Sequence, residues 1–197
     1  MRSLRLAVAL VSAAAFAAAC TSGRGVEPTS PPVDTRPLAD APPYLCDLVP
    51  QEAFRIVSGV AESIRQQKSG TDRNGLCSMR DVAPHPLVVS WMGQGGATLE
   101  HLHFVADDLL AVYERHDGVR LPMELGTGMA AYVPDHGSLT EQSYQVAAKF
   151  RCDGEEQLLT LRLDQVAEGR DAMGDLIALM RIAQRRYGEV HGCVPGT

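Results

Sequence analysis

The sequence predicts an α+β fold, in which an antiparallel sheet packs against helices in a single domain. Apolar residues recur at helical spacing in three segments, and they alternate with other residues in several more. An Asp-Gly pair separates two of the alternating segments. The stretch 44–197 is long enough for one hydrophobic core and contains four cysteines. We therefore predict one disulfide-stapled α+β domain over 44–197.

The first 19 residues have the features of an export signal. Arg2 and Arg5 provide a positive start, an apolar run begins at Leu6, and small residues precede Cys20. The apolar run is about 14 residues long, which is short for a membrane-spanning helix. We predict a signal peptide over 1–19 and lipid attachment at Cys20.

Cysteine parity supports lipid attachment. The chain has five cysteines, and without Cys20 an even set of four remains for two disulfides in an oxidising compartment. The alternative is secretion with a free N-terminal thiol, because the alanines before Cys20 also suit ordinary signal cleavage. Ala17 stands where bacterial lipoprotein signals most often carry Leu.

A Pro/Ser/Thr-rich segment, 20–43, follows the predicted cleavage point. It contains few large apolar side chains and cannot form a core of its own. We predict a disordered tether that holds the folded domain at a distance from the membrane.

Helical spacing and alternation predict the first half of the domain. Apolar residues recur at helical spacing over 50–67, and Pro50 suits a first helical turn. Strands are predicted over 76–82 and 87–92, on either side of a proline-containing turn. Helical spacing returns over 98–116 and predicts a second helix.

The second half of the domain has the clearest strand pattern. A short strand is predicted over 129–133, after a glycine-rich turn. Apolar residues then alternate over 146–152 and 159–163, on either side of the hairpin signal Asp153-Gly154. The last predicted element is a helix over 172–187, with acidic residues at its start, arginines at its end and glycine after it.

The four remaining cysteines allow three pairings. The layout favours Cys46 with Cys77, which joins the start of the first helix to the first strand. It also favours Cys152 with Cys193, which joins the hairpin to the end of the last helix. The sequence alone does not exclude the other two ways of joining the four cysteines in two disulfides.

Charge and motifs narrow the function. Without the signal peptide, 16 basic residues face 24 acidic ones, and the net charge of −8 argues against nucleic-acid binding. The chain lacks G-x-S-x-G, S-x-x-K and H-E-x-x-H patterns. We predict neither enzymatic activity nor a cofactor.

The closest histidine pair, His101 and His103, raises the question of a metal site. On a helix, residues two apart point about 200° apart, so the two imidazoles would not share an ion. On a strand they would share a face, and zinc would need a further ligand from His85, His116 or His136. The preferred interpretation is that one of the two histidines packs beside the apolar side of the helix and the other is exposed to solvent.

Two features are candidates for a binding surface. Trp91 precedes the glycine-rich stretch 93–96, and an aromatic beside a mobile loop can line a pocket, although core packing is the stronger expectation. The other is a polar face of the predicted sheet. This face either binds a partner or is simply exposed to solvent, and it is formed by Lys149, Arg151, Arg162 and Asp164.

Three short motifs accompany Cys20 and the tether: LCDLVP at 45–50, LCSM at 76–79 and LGTGMAAY at 125–132. Together they resemble an actinobacterial family of lipoproteins of unknown function, in which Trp usually stands in place of Met79. The resemblance implies a curved antiparallel sheet, a bridge between Cys46 and Cys77, and a concavity for a small ligand or an envelope protein. It supplies no catalytic residue.

The sequence therefore predicts an exported cell-envelope protein, anchored by lipid at the outer face of the cytoplasmic membrane, that binds a ligand or a protein. The alternative is a secreted sensor-like or structural domain without an anchor. An envelope hydrolase or a metal-binding protein is a more distant alternative.

Mass spectrometry of the mature N-terminus from the native host tests the anchor. We expect the N-terminal peptide to begin at Cys20 and to carry the mass of attached lipid, because export signals of this kind end at the lipidated cysteine. An unmodified Cys20, or cleavage at another site, would contradict the prediction.

Overall fold

The computed structural model describes residues 34–80, 86–134 and 142–196, with only the backbone of Arg80. The predicted signal peptide, Cys20 and the first part of the predicted tether lie outside the described residues. The predicted strand over 76–82 and the turn that follows it are described only in part.

A large antiparallel sheet forms the centre of the domain, preceded by a small strand pair, β1 (Tyr44–Leu45) and β2 (Val49–Pro50). The strands of the large sheet are β3 (Arg65–Gly70), β4 (Asn74–Arg80), β5 (Leu87–Gly93), β6 (Val119–Arg120), β7 (Thr127–Tyr132), β8 (Tyr144–Cys152), β9 (Glu155–Leu163) and β10 (Pro195–Gly196). Their order is β3-β4-β5-β9-β8-β7-β6, and β10 pairs with β8.

In the part of the chain that the structure describes, three α-helices cover the sheet: α1 (Gln51–Ser58), α2 (Leu99–Arg115) and α3 (Ala172–His191). Helices α1 and α3 pack on one face, in the main core with Val146, Ala148 and Phe150. Helix α2 packs on the other face, against Ala147 and Leu158. Because successive strand residues point to opposite faces, β8 and β9 contribute to both cores. The predicted α+β fold is confirmed.

The hairpin of β8 and β9 matches its prediction closely. Its register runs from Tyr144 opposite Leu163 to Cys152 opposite Glu155. Asp153 and Gly154 connect the strands, and both have positive φ, at 51° and 85°. Positive φ at both central residues is the requirement of the tight type I′ turn, which Asp-Gly adopts readily.

The predicted helix over 50–67 is wrong in its second half. Helix α1 ends at Ser58, because Gly59 takes a left-handed conformation with φ 71°. Residues Arg65–Gly70 instead form β3, an exposed strand that pairs with β4. Its partner β4 follows directly across the turn 71–73, but β3 is polar and exposed along its whole length, so it lacks the apolar alternation that would predict a strand.

The last helix is longer than predicted. Gly188 lies inside α3, which continues to His191 and ends at Gly192 in a left-handed conformation with φ 69°. A Cβ on Gly188 would lie 2.6 Å from the carbonyl oxygen of Cys193 and 2.5 Å from the ring of Pro195. Gly188 therefore permits close packing of the C-terminal segment and does not stop the helix.

Residues 34–43 lie against the domain, although the sequence predicted a disordered tether up to residue 43. Arg170 donates a hydrogen bond to the carbonyl oxygen of Asp34. Arg185 forms an ion pair with Asp40 at 2.7 Å, and Leu38 packs against the main core. The partners come from the far end of the chain, so composition alone could not predict this contact.

Two disulfides connect the domain: Cys46 with Cys77, and Cys152 with Cys193. Their Cα atoms are 5.8 Å and 5.5 Å apart, within the usual range for a disulfide. These are the two pairings that the sequence layout favoured. The first lies wholly in the main core, whereas Cys193 of the second is only partly buried.

Removing each disulfide by a double substitution to alanine tests these roles. The closed loops span 31 and 41 residues, so each bridge should contribute about 4 kcal/mol by loop-closure entropy. We expect the Cys46→Ala/Cys77→Ala variant to lose more stability, because it also leaves a cavity in the core. Denaturant unfolding measures the difference. Equal losses, or a Cys46 to Cys152 link in non-reducing peptide maps, would contradict this account.

Candidate functional site

Helix α2 begins and ends as the sequence predicted. The Thr98 side chain accepts a hydrogen bond from the backbone N–H of His101 and caps the helix. Leu102, Ala106 and Tyr113 are buried beneath α2, against β7, β8 and β9. One helix is too narrow to cover a sheet face that is seven strands wide. A cavity lies between the sheet and the side of α2.

This cavity, which we call the α2 cavity, has a volume of about 180 Å³. Its upper wall is apolar and consists of Val105 and Leu109, with Tyr113, all on α2. The sheet provides the floor, from Ser90, Met92, Leu158, Thr160 and Arg162. Asn74, Gly75 and Trp91 complete the lining. Several of these side chains are only half-buried, so the cavity remains accessible from solvent.

Arg162 is the only charged residue that lines the α2 cavity in the part of the chain that the structure describes. It rises from β9, and its Nε atom is shielded from solvent without a hydrogen-bond partner. Burial lowers the pKa of the guanidinium from its ordinary value. Even so lowered, an arginine remains protonated at neutral pH, and no described lining residue carries a negative charge to compensate it.

The other polar groups around the cavity have protein partners. The Ser90 and Thr160 hydroxyl oxygens are 2.5 Å apart across β5 and β9. The Tyr113 hydroxyl donates to Oε1 of Gln145 at 3.2 Å, and Gln145 Nε2 donates to a backbone carbonyl oxygen at 2.9 Å. Burial raises the pKa of the Tyr113 phenol, which therefore stays neutral. These bonds hold the cavity walls in place.

A second inward-facing arginine, Arg170, shows how such a side chain is normally paired. Arg170 has a side chain only 7% exposed, and Asp175 one that is 12% exposed. The guanidinium donates two hydrogen bonds to the carboxylate, at 2.5 Å and 2.7 Å. This fork-to-fork pairing compensates both charges. No described carboxylate pairs with Arg162 in this way.

Trp91 has both of the roles considered for it. It packs against the main core, and its Nε1 donates to the carbonyl oxygen of Thr71 at 2.9 Å. A Cβ on Gly75 would lie 2.4 Å from the indole, so glycine is needed at that position to admit the ring. Trp91 also lines the α2 cavity. The adjacent stretch 93–96 is held by Arg73, which donates to the carbonyl oxygen of Gln94 at 2.8 Å.

The polar sheet face predicted from Lys149, Arg151, Arg162 and Asp164 is not one continuous surface. Helix α2 lies over part of it, and Arg162 lines the cavity beside that helix. Lys149 and Arg151 instead line a more open depression of about 370 Å³, together with Met123 and Glu156. The sequence identified Arg162 as a surface residue because alternation shows only the face of a strand and not what covers that face.

The histidine pair lies on α2, where the two imidazoles leave different sides of the helix. His103 Nε2 contacts Oε2 of Glu156, and this contact lowers the pKa of the carboxyl. His85 and His136 lie outside the described residues. Within 34–80, 86–134 and 142–196, no three His, Cys, Asp or Glu side chains are grouped to hold a metal ion.

Comparison of the chain with family models, curated proteins and solved structures finds no match. The structure itself gives one further finding about membranes. None of the helices within the described ranges has the length and apolar character needed to cross a bilayer.

Sequence reasoning missed the polar partners of the cavity. Ser90, Thr160 and Gln145 carry no motif and occur singly within apolar strands. The available signal was the alternation on β9, which places Thr160 and Arg162 on the face opposite Leu159 and Leu161. A polar face on a strand that is apolar on the other side indicates that this face meets solvent, a ligand or a partner.

Replacing Arg162 and Arg170 by methionine, one at a time, compares the effect on stability of an unpaired and of a paired arginine. We expect Arg162→Met to raise the free energy of unfolding by about 1–2 kcal/mol, because an Nε atom that is shielded from water without an acceptor is removed. The matched variant Arg170→Met should lower it by about 3–5 kcal/mol, because Asp175 loses its partner. Urea unfolding at neutral pH gives both values. A comparable loss for Arg162→Met would show that Arg162 has a structural partner.

Proposed function

We propose that the protein is an exported, lipid-anchored envelope protein that binds a small ligand in the α2 cavity. The observation that carries the proposal is the unpartnered Nε of Arg162 at a solvent-accessible, largely apolar cavity. Cavities with apolar walls and a few convergent polar groups are the usual form of small-molecule sites.

The energetic cost of Arg162 supports a binding role. Removing a charge from water without a partner is unfavourable, and an apolar residue would fill the same space at lower cost. The surrounding polar groups are paired, so the defect is confined to one side chain. A sequence that departs from the stability optimum at a single cavity residue commonly does so for function.

The lining of the cavity supports binding in preference to catalysis. An arginine cannot act as a general base, since it stays protonated at physiological pH. The Ser90 hydroxyl is paired with Thr160, and no described imidazole lies beside it to activate it. Among the described lining residues there is neither a carboxylate nor an imidazole.

Cys20 and the segment that follows it support the location. The resemblance to actinobacterial lipoproteins and the parity of the cysteines favour lipid attachment at Cys20. The membrane would then be the protein's partner through its N-terminal lipid, with the binding domain joined by a shorter tether than the sequence predicted, since residues 34–43 contact the domain.

Intrinsic fluorescence tests the binding site, because Trp91 is the only tryptophan of the chain and lines the cavity. The probes are small amphipathic molecules with a six-carbon apolar body and an anionic, neutral or cationic head. We expect a saturable change in Trp91 emission with at least one of them. Leu109→Phe, which adds bulk to the cavity wall, should weaken the binding at least about tenfold, since overpacked sites reject ligands.

The control is Phe104→Leu, a change of the opposite kind on the same helix. Phe104 is 68% exposed and does not line the cavity, so this variant should bind the probes as the parent chain does. Absence of a saturable response from every probe, or equal effects of the two variants, would contradict the proposed site.

A further inference from the structure

We infer that the ligand of the α2 cavity is a small organic anion, whose carboxylate-like head pairs with Arg162 and whose apolar body lies against Val105, Leu109 and Leu158. This inference rests on the proposed binding function and adds the chemical class of the ligand. Four features of the described residues support it.

The first feature is the charge balance of the cavity. Arg162 brings a positive charge, and none of the other described lining residues is acidic. Two other arginines whose side chains are at most 20% exposed pair with carboxylates, Arg170 with Asp175 and Arg186 with Glu189, although the Nε atom of Arg186 also lacks a hydrogen bond. An anion that enters the cavity would supply the missing counter-charge, whereas a cation would be repelled and a neutral molecule would leave Arg162 unpaired.

The second feature is the hydrogen-bonding capacity of the guanidinium. Its planar array of N–H donors matches the two oxygens of a carboxylate. The Nε atom lacks a protein acceptor and is shielded from water, so bulk solvent does not satisfy it. A carboxylate oxygen in the cavity would accept this hydrogen bond and recover the free energy lost on desolvation.

The third feature is the hydroxyl pair next to the arginine. Thr160 and Arg162 are two residues apart on β9, so their side chains leave the same face of the sheet. The Ser90 and Thr160 hydroxyls form a hydrogen bond with each other, and only one of their two O–H protons takes part in it. The remaining O–H group is available to donate to a second oxygen of an anionic head.

The fourth feature is the size of the site. Its volume of about 180 Å³ is below the ~300 Å³ at which cavities begin to hold drug-sized molecules. The walls opposite the polar groups are the aliphatic side chains of Val105, Leu109 and Leu158. A short ligand with one charged end and one apolar end fits this division better than a sugar, which is polar over its whole surface.

Three probes that differ only in the head group test the inference: hexanoate, 1-hexanol and hexylammonium. Their binding to the full domain is measured by Trp91 fluorescence and checked by calorimetry at constant ionic strength. We expect hexanoate to bind at least about tenfold more tightly than the other two, which is the range of one charge-assisted hydrogen bond. The preference should persist between pH 6 and pH 8, where hexanoate and Arg162 both keep their charges.

The variants Arg162→Met and Arg162→Lys test whether Arg162 causes the preference for hexanoate. The methionine variant should bind hexanoate and 1-hexanol equally, since it keeps the shape of the cavity without the charge. The lysine variant should keep part of the preference, because it retains a positive charge but loses the planar fork. Both variants should still bind 1-hexanol as the parent chain does, which verifies that the cavity is intact.

The outcomes separate the inference from the proposed function. Equal binding of the three probes by the parent chain, or tighter binding of hexylammonium, would overturn the anionic ligand and leave a binding cavity. A preference for hexanoate that survives Arg162→Met would overturn the role of Arg162. Failure of all three probes to bind would overturn the proposed function together with the inference.

Discussion

The register of the hairpin formed by β8 and β9 is the constraint on which the rest of the structure depends. These strands lie in the interior of the sheet, and each carries apolar side chains on both faces. The Asp153-Gly154 turn fixes which residues face each other. A slip of one residue would reverse the faces of a strand. Arg162 would then point into the main core, and Leu161 would take its place at the cavity.

The two faces of the sheet are covered unequally, and the cavity is a consequence. Helices α1 and α3 share one face and build the larger core with the residues that they contact. Of the described helices, only α2 lies on the other face, above β7, β8 and β9. Since one helix is about 10 Å wide and neighbouring strands are about 4.8 Å apart, it covers only two or three strands. The uncovered part includes β5, whose Ser90 and Met92 line the cavity.

Two inward-facing arginines show that the neighbouring groups decide whether such a side chain is paired. Arg170 meets Asp175 and the backbone of Asp34, so it holds the N-terminal segment against α3. Arg162 lies where α2 leaves space and the surrounding polar groups are already paired. The same side chain therefore stabilises the fold in one place and provides an unsatisfied charge in the other, and the difference comes entirely from the neighbouring groups.

The sequence by itself determined the elements whose signals are local. The Asp153-Gly154 hairpin and the capped helix α2 follow from turn chemistry and spacing, and the order of the elements favoured the two cysteine pairs that form. The tertiary structure decided the rest. It made 65–70 a strand by pairing it with β4, it placed residues 34–43 against distant arginines, and it buried one side of Arg162 beside α2. Periodicity assigns a side chain to a face, but only the packing of distant segments decides whether water, a helix or an empty cavity meets that face.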